Sequence, residues 1–144
     1  MITGFLVRPD LTHNSVTFDL DQAAQFLGGV NEDRVAVSFQ EDGSDYAALF
    51  NPDAKANGAE PNPVASLGRQ AAATGAGSFL ADPTRAISGT VIFVAAEGDD
   101  IGLEEIRRVK DGIRAVKNYR DDNPEEYALW RAAVLNLGEL NIND

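Results

Sequence analysis

Several short clusters hold the residue types that could carry chemistry. Asp99-Asp100 and then Glu104-Glu105 place carboxylates where a strand runs into a helix. A hard divalent cation needs converging oxygens, and one or two carboxylates at a strand end can supply them. Adjacent aspartates on a turn seldom converge, however, and glutamates in a first helical turn are already accounted for by the helix dipole. Glu41-Asp42-Gly43-Ser44-Asp45 lacks the alternate-position ligands and the distant glutamate of a calcium loop. No metal site is expected. Gly28-Gly29 and Gly75-Ala76-Gly77 follow predicted helices, whereas phosphate-cradling glycines precede them. The serines stand in no nucleophile elbow. His13, the only histidine, falls in a predicted turn, and a general base needs partners that orient it. The sequence therefore predicts no catalytic residue and no cofactor, and the chain reads as a non-enzyme.

One charged pattern stands apart. Arg107, Lys110, Arg114 and Lys117 step by 3, 4 and 3 along a predicted helix, with Arg108 and Arg120 nearby and Asp111 opposing them. This basic stripe could be a solvated face paired with Asp121, Asp122 and Glu125. The functional reading, which ranks behind it, is a docking site for an anion: a phosphate, a nucleotide or an acidic partner surface. The polar loop before it adds the amides of Asn57 and Asn62. The candidate binding residues are thus Asn57, Asn62, Arg107, Lys110, Arg114 and Lys117.

The elements that must position these residues are organised around Thr90-Val91-Ile92-Phe93-Val94-Ala95-Ala96, the longest apolar β-type run in the chain. Such a run suits a strand covered on both faces, hence a central one. Residues 2–7 read as a first strand ended by Arg8-Pro9-Asp10, with Thr12-His13-Asn14 as a turn into a second strand over 15–18. Asp19 or Asp21 can cap a short helix over 21–27, with Leu20, Ala23, Ala24 and Leu27 on one buried face and Gly28-Gly29 as its stop. Period-two alternation predicts strands over 35–40 and 45–50, joined through Glu41 to Ser44 as a hairpin. Residues 51–63 form a turn-rich loop with an Asn57-Gly58 pair. Pro63 then opens a helix over 64–74, capped by Asn62, and residues 78–86 read as an irregular connection. The central strand is expected over 87–96. Leu103, Ile106, Val109, Ile113 and Val116 predict the long helix that carries the basic stripe, with Gly112 weakening it by about 1 kcal/mol. Asn123 as cap, Pro124 as first residue and Glu126 closing a capping box predict a last helix. Tyr127, Trp130, Val134 and Leu137 line its face, Gly138 ends it, and residues 140–143 are free to add an edge strand. The expected fold is α+β: a mostly antiparallel sheet of about five strands with packed helices and a C-terminal helical hairpin.

Composition bounds the rest. The 144 residues suit a single domain over 1–144, with 118–144 as a helical extension, and a fold of this size buries roughly 68% of its unfolded surface. The chain has no cysteine, which excludes disulfides and thiolate metal sites and fits a reducing cytosol. The first residues lack the pattern of a signal peptide, and no apolar run approaches the ~18 residues of a membrane span. A soluble, cytoplasmic protein without membrane contact is expected. With 12 Lys+Arg against 23 Asp+Glu, the net charge is −11, which disfavours nucleic acid as a partner. It reads first as solubility and a solvated surface, and in the sharper reading as an acidic patch that engages a basic partner surface.

The order of motifs resembles a known family. Phe26-Leu27-Gly28-Gly29 precedes a hairpin, and Asn51 to Gly58 leads into Pro61-Asn62-Pro63-Val64-Ala65. Ile87-Ser88-Gly89-Thr90-Val91-Ile92-Phe93-Val94 and a helix opening near Gly102-Leu103-Glu104-Glu105-Ile106 follow. Over roughly residues 1–110 the chain is similar to domain of unknown function 3846, found in bacteriophages, prophages and plasmids of Gram-positive bacteria. Gly102 departs from the pattern, standing where a capping Ser or Thr is expected, and the region from about Asn118 lies outside it. The resemblance implies a mobile-element origin and an intracellular setting, and it implies no activity. Taken together, the expectation is an accessory protein that binds a host protein through an acidic surface. The alternative is a module that sequesters a small molecule or nucleotide. A homodimer through edge strands or the helical hairpin is also compatible with the sequence.

Overall fold

The structure, a computed structural model, describes residues 2–27, 33–38, 45–54, 58–74, 86–95 and 100–143. Strands β1 (Ile2–Val7), β2 (His13–Phe18), β3 (Asp33–Ser38), β4 (Asp45–Phe50) and β5 (Val91–Ala95) form one sheet in the order β2-β1-β5-β4-β3. Every neighbouring pair is antiparallel. The helices are α1 (Ala23–Phe26, entered through a 3₁₀ turn at Leu20–Gln22), α2 (Pro63–Thr74), α3 (Leu103–Asp122) and α4 (Pro124–Asn143). The class is α+β.

The apolar run sits where an uninterrupted hydrophobic strand must sit. Val91, Ile92, Phe93 and Val94 are all buried, with β1 on one side of β5 and β4 on the other. Alternation then divides the core into two layers. Phe5, Val7, Tyr46, Ala48, Val91 and Phe93 face α2 and α3, meeting Val64, Ala65, Val109, Ile113 and Val116. On the opposite face Leu6, Leu49, Ile92 and Val94 pack with Phe18 and with Ala23 and Leu27 around α1.

The strand expected over 87–96 begins later, at Val91. Gly89 has φ +85° and interrupts the extended backbone, so Ser88 makes only an isolated bridge to Pro61. A Cβ at Gly89 would also come within 3.3 Å of the Ala54 methyl. The first hairpin also differs from expectation. His13 and Asn14 belong to β2, and the turn is Arg8 to Thr12, closed by the Arg8 N–H on the Thr12 carbonyl. Leu11 there takes φ +75°, unusual for a branched side chain, while its own side chain enters the core. Asp10 accepts from the Thr12 N–H at 3.0 Å and from its hydroxyl at 2.6 Å. These bonds hold the Asp10 carboxyl below the usual carboxylate range.

The end of the chain departs further. Helix α4 runs through Gly138 to Asn143, so the tail adds no edge strand. A single glycine costs a helix only about 1 kcal/mol, and the leucines and glutamate around it are good helix formers. The expected capping box is not made either, because the Asn123 N–H closes α3 on the Tyr119 carbonyl at 2.8 Å. Glu126 accepts the Tyr119 hydroxyl at 2.9 Å instead. Gly102 does occupy the N-cap of α3, and the Glu105 carboxylate folds back over it into the space a side chain would fill.

Several sequence expectations fall outside the described residues: the stop at Gly28-Gly29, the turn at Glu41 to Ser44, Gly75-Ala76-Gly77, residues 78–85 and Asp99.

Candidate functional site

Asn62 lies at the junction of three segments and is fully buried. Its Nδ2 donates to the carbonyls of Val7 and Gly89, both at 3.0 Å. Its Oδ1 accepts the Ala65 N–H at 3.2 Å, the geometry of a helix N-cap. Its own N–H donates to the Ile87 carbonyl at 2.8 Å. Ser66 extends the network, donating to the Asn62 carbonyl at 2.7 Å and accepting the Ile87 N–H at 3.0 Å. An amide that gives both protons to main-chain carbonyls has no donor left for a ligand. Asn62 is therefore the cap that the sequence predicts, and its burial removes it from a ligand-binding set. Asn57 lies outside the described residues.

The four basic residues of the stripe are all exposed on α3. They do not form a uniform set. Arg107 pairs with Glu104 at 3.6 Å and Arg114 with Asp111 at 3.7 Å, each across one helical turn. Exposed pairs of this kind contribute about 0.3–0.5 kcal/mol. Lys110 and Lys117 have no carboxylate within ion-pair distance among the described residues. Lys110 instead places its Nζ 5.9 Å above the Phe5 ring.

His13 completes this corner. Cross-strand pairing sets His13 opposite Val7 and Ser15 opposite Phe5, so the β2 side chains at 13, 15 and 17 share the α3 face of the sheet. The His13 and Phe5 rings lie 5.1 Å apart. Partial burial, and then the ammonium groups of Lys110 and Lys117, push the His13 imidazole below its ordinary value. None of these neighbours can accept its proton, so what surrounds His13 is a field of positive charge. Histidine and stripe are nearly a hundred residues apart in sequence, and nothing in either segment signals that they meet.

The acidic cluster has a structural use at Asp100. Its Oδ1 accepts the Thr3 N–H at 2.8 Å, and the adjacent Ile101 N–H donates to the Thr3 carbonyl at 2.9 Å. The carboxylate thus closes the start of β1. Among the described residues no group of acidic or histidine side chains has the proximity a metal ion needs. Nor, among them, is any helix long and apolar enough to cross a membrane.

A denser acidic feature stands at the joint between α3 and α4. Asp121, Asp122, Glu125 and Glu126 flank Asn123 and are all exposed. Further along α4, Arg131 clasps Glu60 with its Nε at 2.7 Å from Oε2 and its second nitrogen on Oε1. That contact holds the Glu60 carboxyl below its usual range. No family model, curated protein or solved structure matches the chain.

Proposed function

We propose that the protein is a non-enzymatic accessory factor of a phage or other mobile element, acting in the cytoplasm by binding a basic host protein. The observation that carries this reading is the exposed carboxylate corner of Asp121, Asp122, Glu125 and Glu126, on a chain of net charge −11. In this reading α3 and α4 act as a helical hairpin that presents the corner. A corner of one sign raises the encounter rate with an oppositely charged surface and rejects like-charged ones. The mobile-element assignment rests on the motif resemblance to domain of unknown function 3846. The sequestering alternative draws less support, since Asn62 spends its amide inside the fold.

The test compares the wild-type chain with a variant carrying Asp121→Asn, Asp122→Asn, Glu125→Gln and Glu126→Gln. Both are immobilised and exposed to a Gram-positive cell lysate at low and high salt. The expected result is one basic protein retained by the wild type, released by salt and not retained by the variant. Equal retention by both would reject the corner as the binding surface.

A further inference from the structure

Among the described residues, strand β2 is an edge of the sheet and pairs only with β1. An edge strand presents a row of main-chain donors and acceptors that a further strand can use. Proteins commonly blunt such an edge with proline, a bulge or an inward charge, and the register of β2 runs without a break from His13 to Phe18. Its side chains on the α3 side are His13, Ser15 and Thr17, all exposed. Beside them Lys110 reaches from α3 with its Nζ 5.9 Å above the Phe5 ring of β1, and Lys117 follows about two turns later on the same helix face. Neither has a carboxylate partner among the described residues. We infer that the β2 edge is a docking site for an acidic extended peptide, which adds as a strand to β2 and sets alternate carboxylates against Lys110 and Lys117.

The dimensions agree. Lys110 and Lys117 are separated along the helix axis by about 10 Å, at 1.5 Å per residue. Carboxylates on one face of an extended strand recur about every 7 Å, so those at i and i+2 or i+4 fall within the swing of two lysine side chains. Main-chain bonds to β2 would supply the register, and the lysines would select an acidic sequence. The charge arrangement also argues against a second copy of this chain as the occupant. Pairing β2 with its symmetry mate would gather both sets of His13, Lys110 and Lys117 on one sheet face, like charge against like. The site is opposite in sign to the carboxylate corner at the α3–α4 joint, so it can fail or stand independently of the function proposed above.

The experiment uses the full chain and a synthetic ten-residue peptide of alternating valine and glutamate. The backbone amides of β2 and the imidazole of His13 are followed by NMR as peptide is added. Three controls run beside it: the same peptide N-methylated along one edge, a valine–lysine peptide, and inorganic phosphate. The expected result is saturable shifts at His13 to Phe18, slowed amide exchange along β2, and an upward move of the His13 titration as carboxylates approach. The Lys110→Gln, Lys117→Gln double variant should bind about tenfold more weakly, as expected for the loss of two modest charge contacts. Binding of the N-methylated peptide as strong as that of the parent would overturn strand addition. So would the same shifts from phosphate alone, which would mean a simple anion site. β2 signals that depend on protein concentration without any peptide would name a second copy as the occupant and overturn the proposal as well.

Discussion

Individual residues carry unequal weight here, and Asn62 carries the most. Replacing it with alanine removes the cap of α2 and leaves the buried carbonyls of Val7 and Gly89 without their donor. A lost cap costs about 1 kcal/mol, and each unsatisfied buried group about 1–3 kcal/mol. The Asn62→Ala variant is therefore expected to lose about 3 kcal/mol or more in urea unfolding. Asn62→Asp keeps the acceptor but not the donors, so it should rescue little. Gly4 makes a second prediction. A Cβ there would stand 2.5 Å from the Ile92 methyl and 3.1 Å from the Phe18 ring, so Gly4→Ala should destabilise by about 1–3 kcal/mol through overpacking. His13 makes a third. Its folded value lies below 6.5 because of burial and of Lys110 and Lys117. Above about pH 6.5 both folded and unfolded states hold it neutral, and its stabilisation is complete. As the pH falls below that, the unfolded chain takes up the proton first, so this contribution is lost. Thermal melts of wild type against His13→Gln between about pH 7.5 and 5 should show the variant losing less stability on acidification.

At the scale of elements, α4 packs apart from the sheet. Its described buried side chains, Trp130 and Val134, join a small cluster with Ala86 and with Tyr119 and Tyr127, separate from the two layers around the sheet. The Arg131–Glu60 pair is a polar tie between this helix and the loop before α2. A helix held by few contacts opens below the global unfolding free energy. Trp130 is the only tryptophan, so its fluorescence reports the surroundings of α4 directly. The emission of Trp130 is expected to change at lower urea than the far-ultraviolet signal of the whole fold, and Arg131→Ala should widen the gap. The pair itself is partly exposed, with side chains at 45% and 51%, so its coupling energy in a double-mutant cycle should be about 0.5–1 kcal/mol. Coincident transitions in wild type and variant would show α4 to be part of the main cooperative unit.

For the whole molecule, the excess of 23 acidic over 12 basic side chains sets up self-repulsion in the compact state. Screening by salt reduces it, since the Debye length falls from about 30 Å at 0.01 M to about 8 Å at 0.15 M. The melting temperature is accordingly expected to rise between those two salt concentrations near neutral pH. A fall would mean that local ion pairs such as Arg131–Glu60 outweigh the net charge. The same balance shapes recognition, because Lys110 and Lys117 carry positive charge on a chain of net charge −11.

The α+β class, the central place of the apolar run, the Val109–Ile113–Val116 face and the Asn62 cap were all legible in the sequence. Each rests on local periodicity or on a cap whose partner lies within four residues, and those preferences act wherever the chain folds. Only the tertiary structure decided the rest. The strand starts late at Val91 because the folded chain holds Gly89 at φ +85°, and α4 continues through Gly138 to Asn143 instead of adding a strand. Asn62 is a hub because Val7 and Gly89, from two other segments, bring their carbonyls to its amide. The basic stripe divides in the same way: Arg107 and Arg114 find carboxylates one turn away, a pairing the sequence spacing allows. Lys110 comes to stand over Phe5 because α3 lays Val109, Ile113 and Val116 into the core that Phe5 and Val7 share. A contact between residues a hundred positions apart costs loop-closure entropy that only the whole core can offset, so no local pattern encodes it.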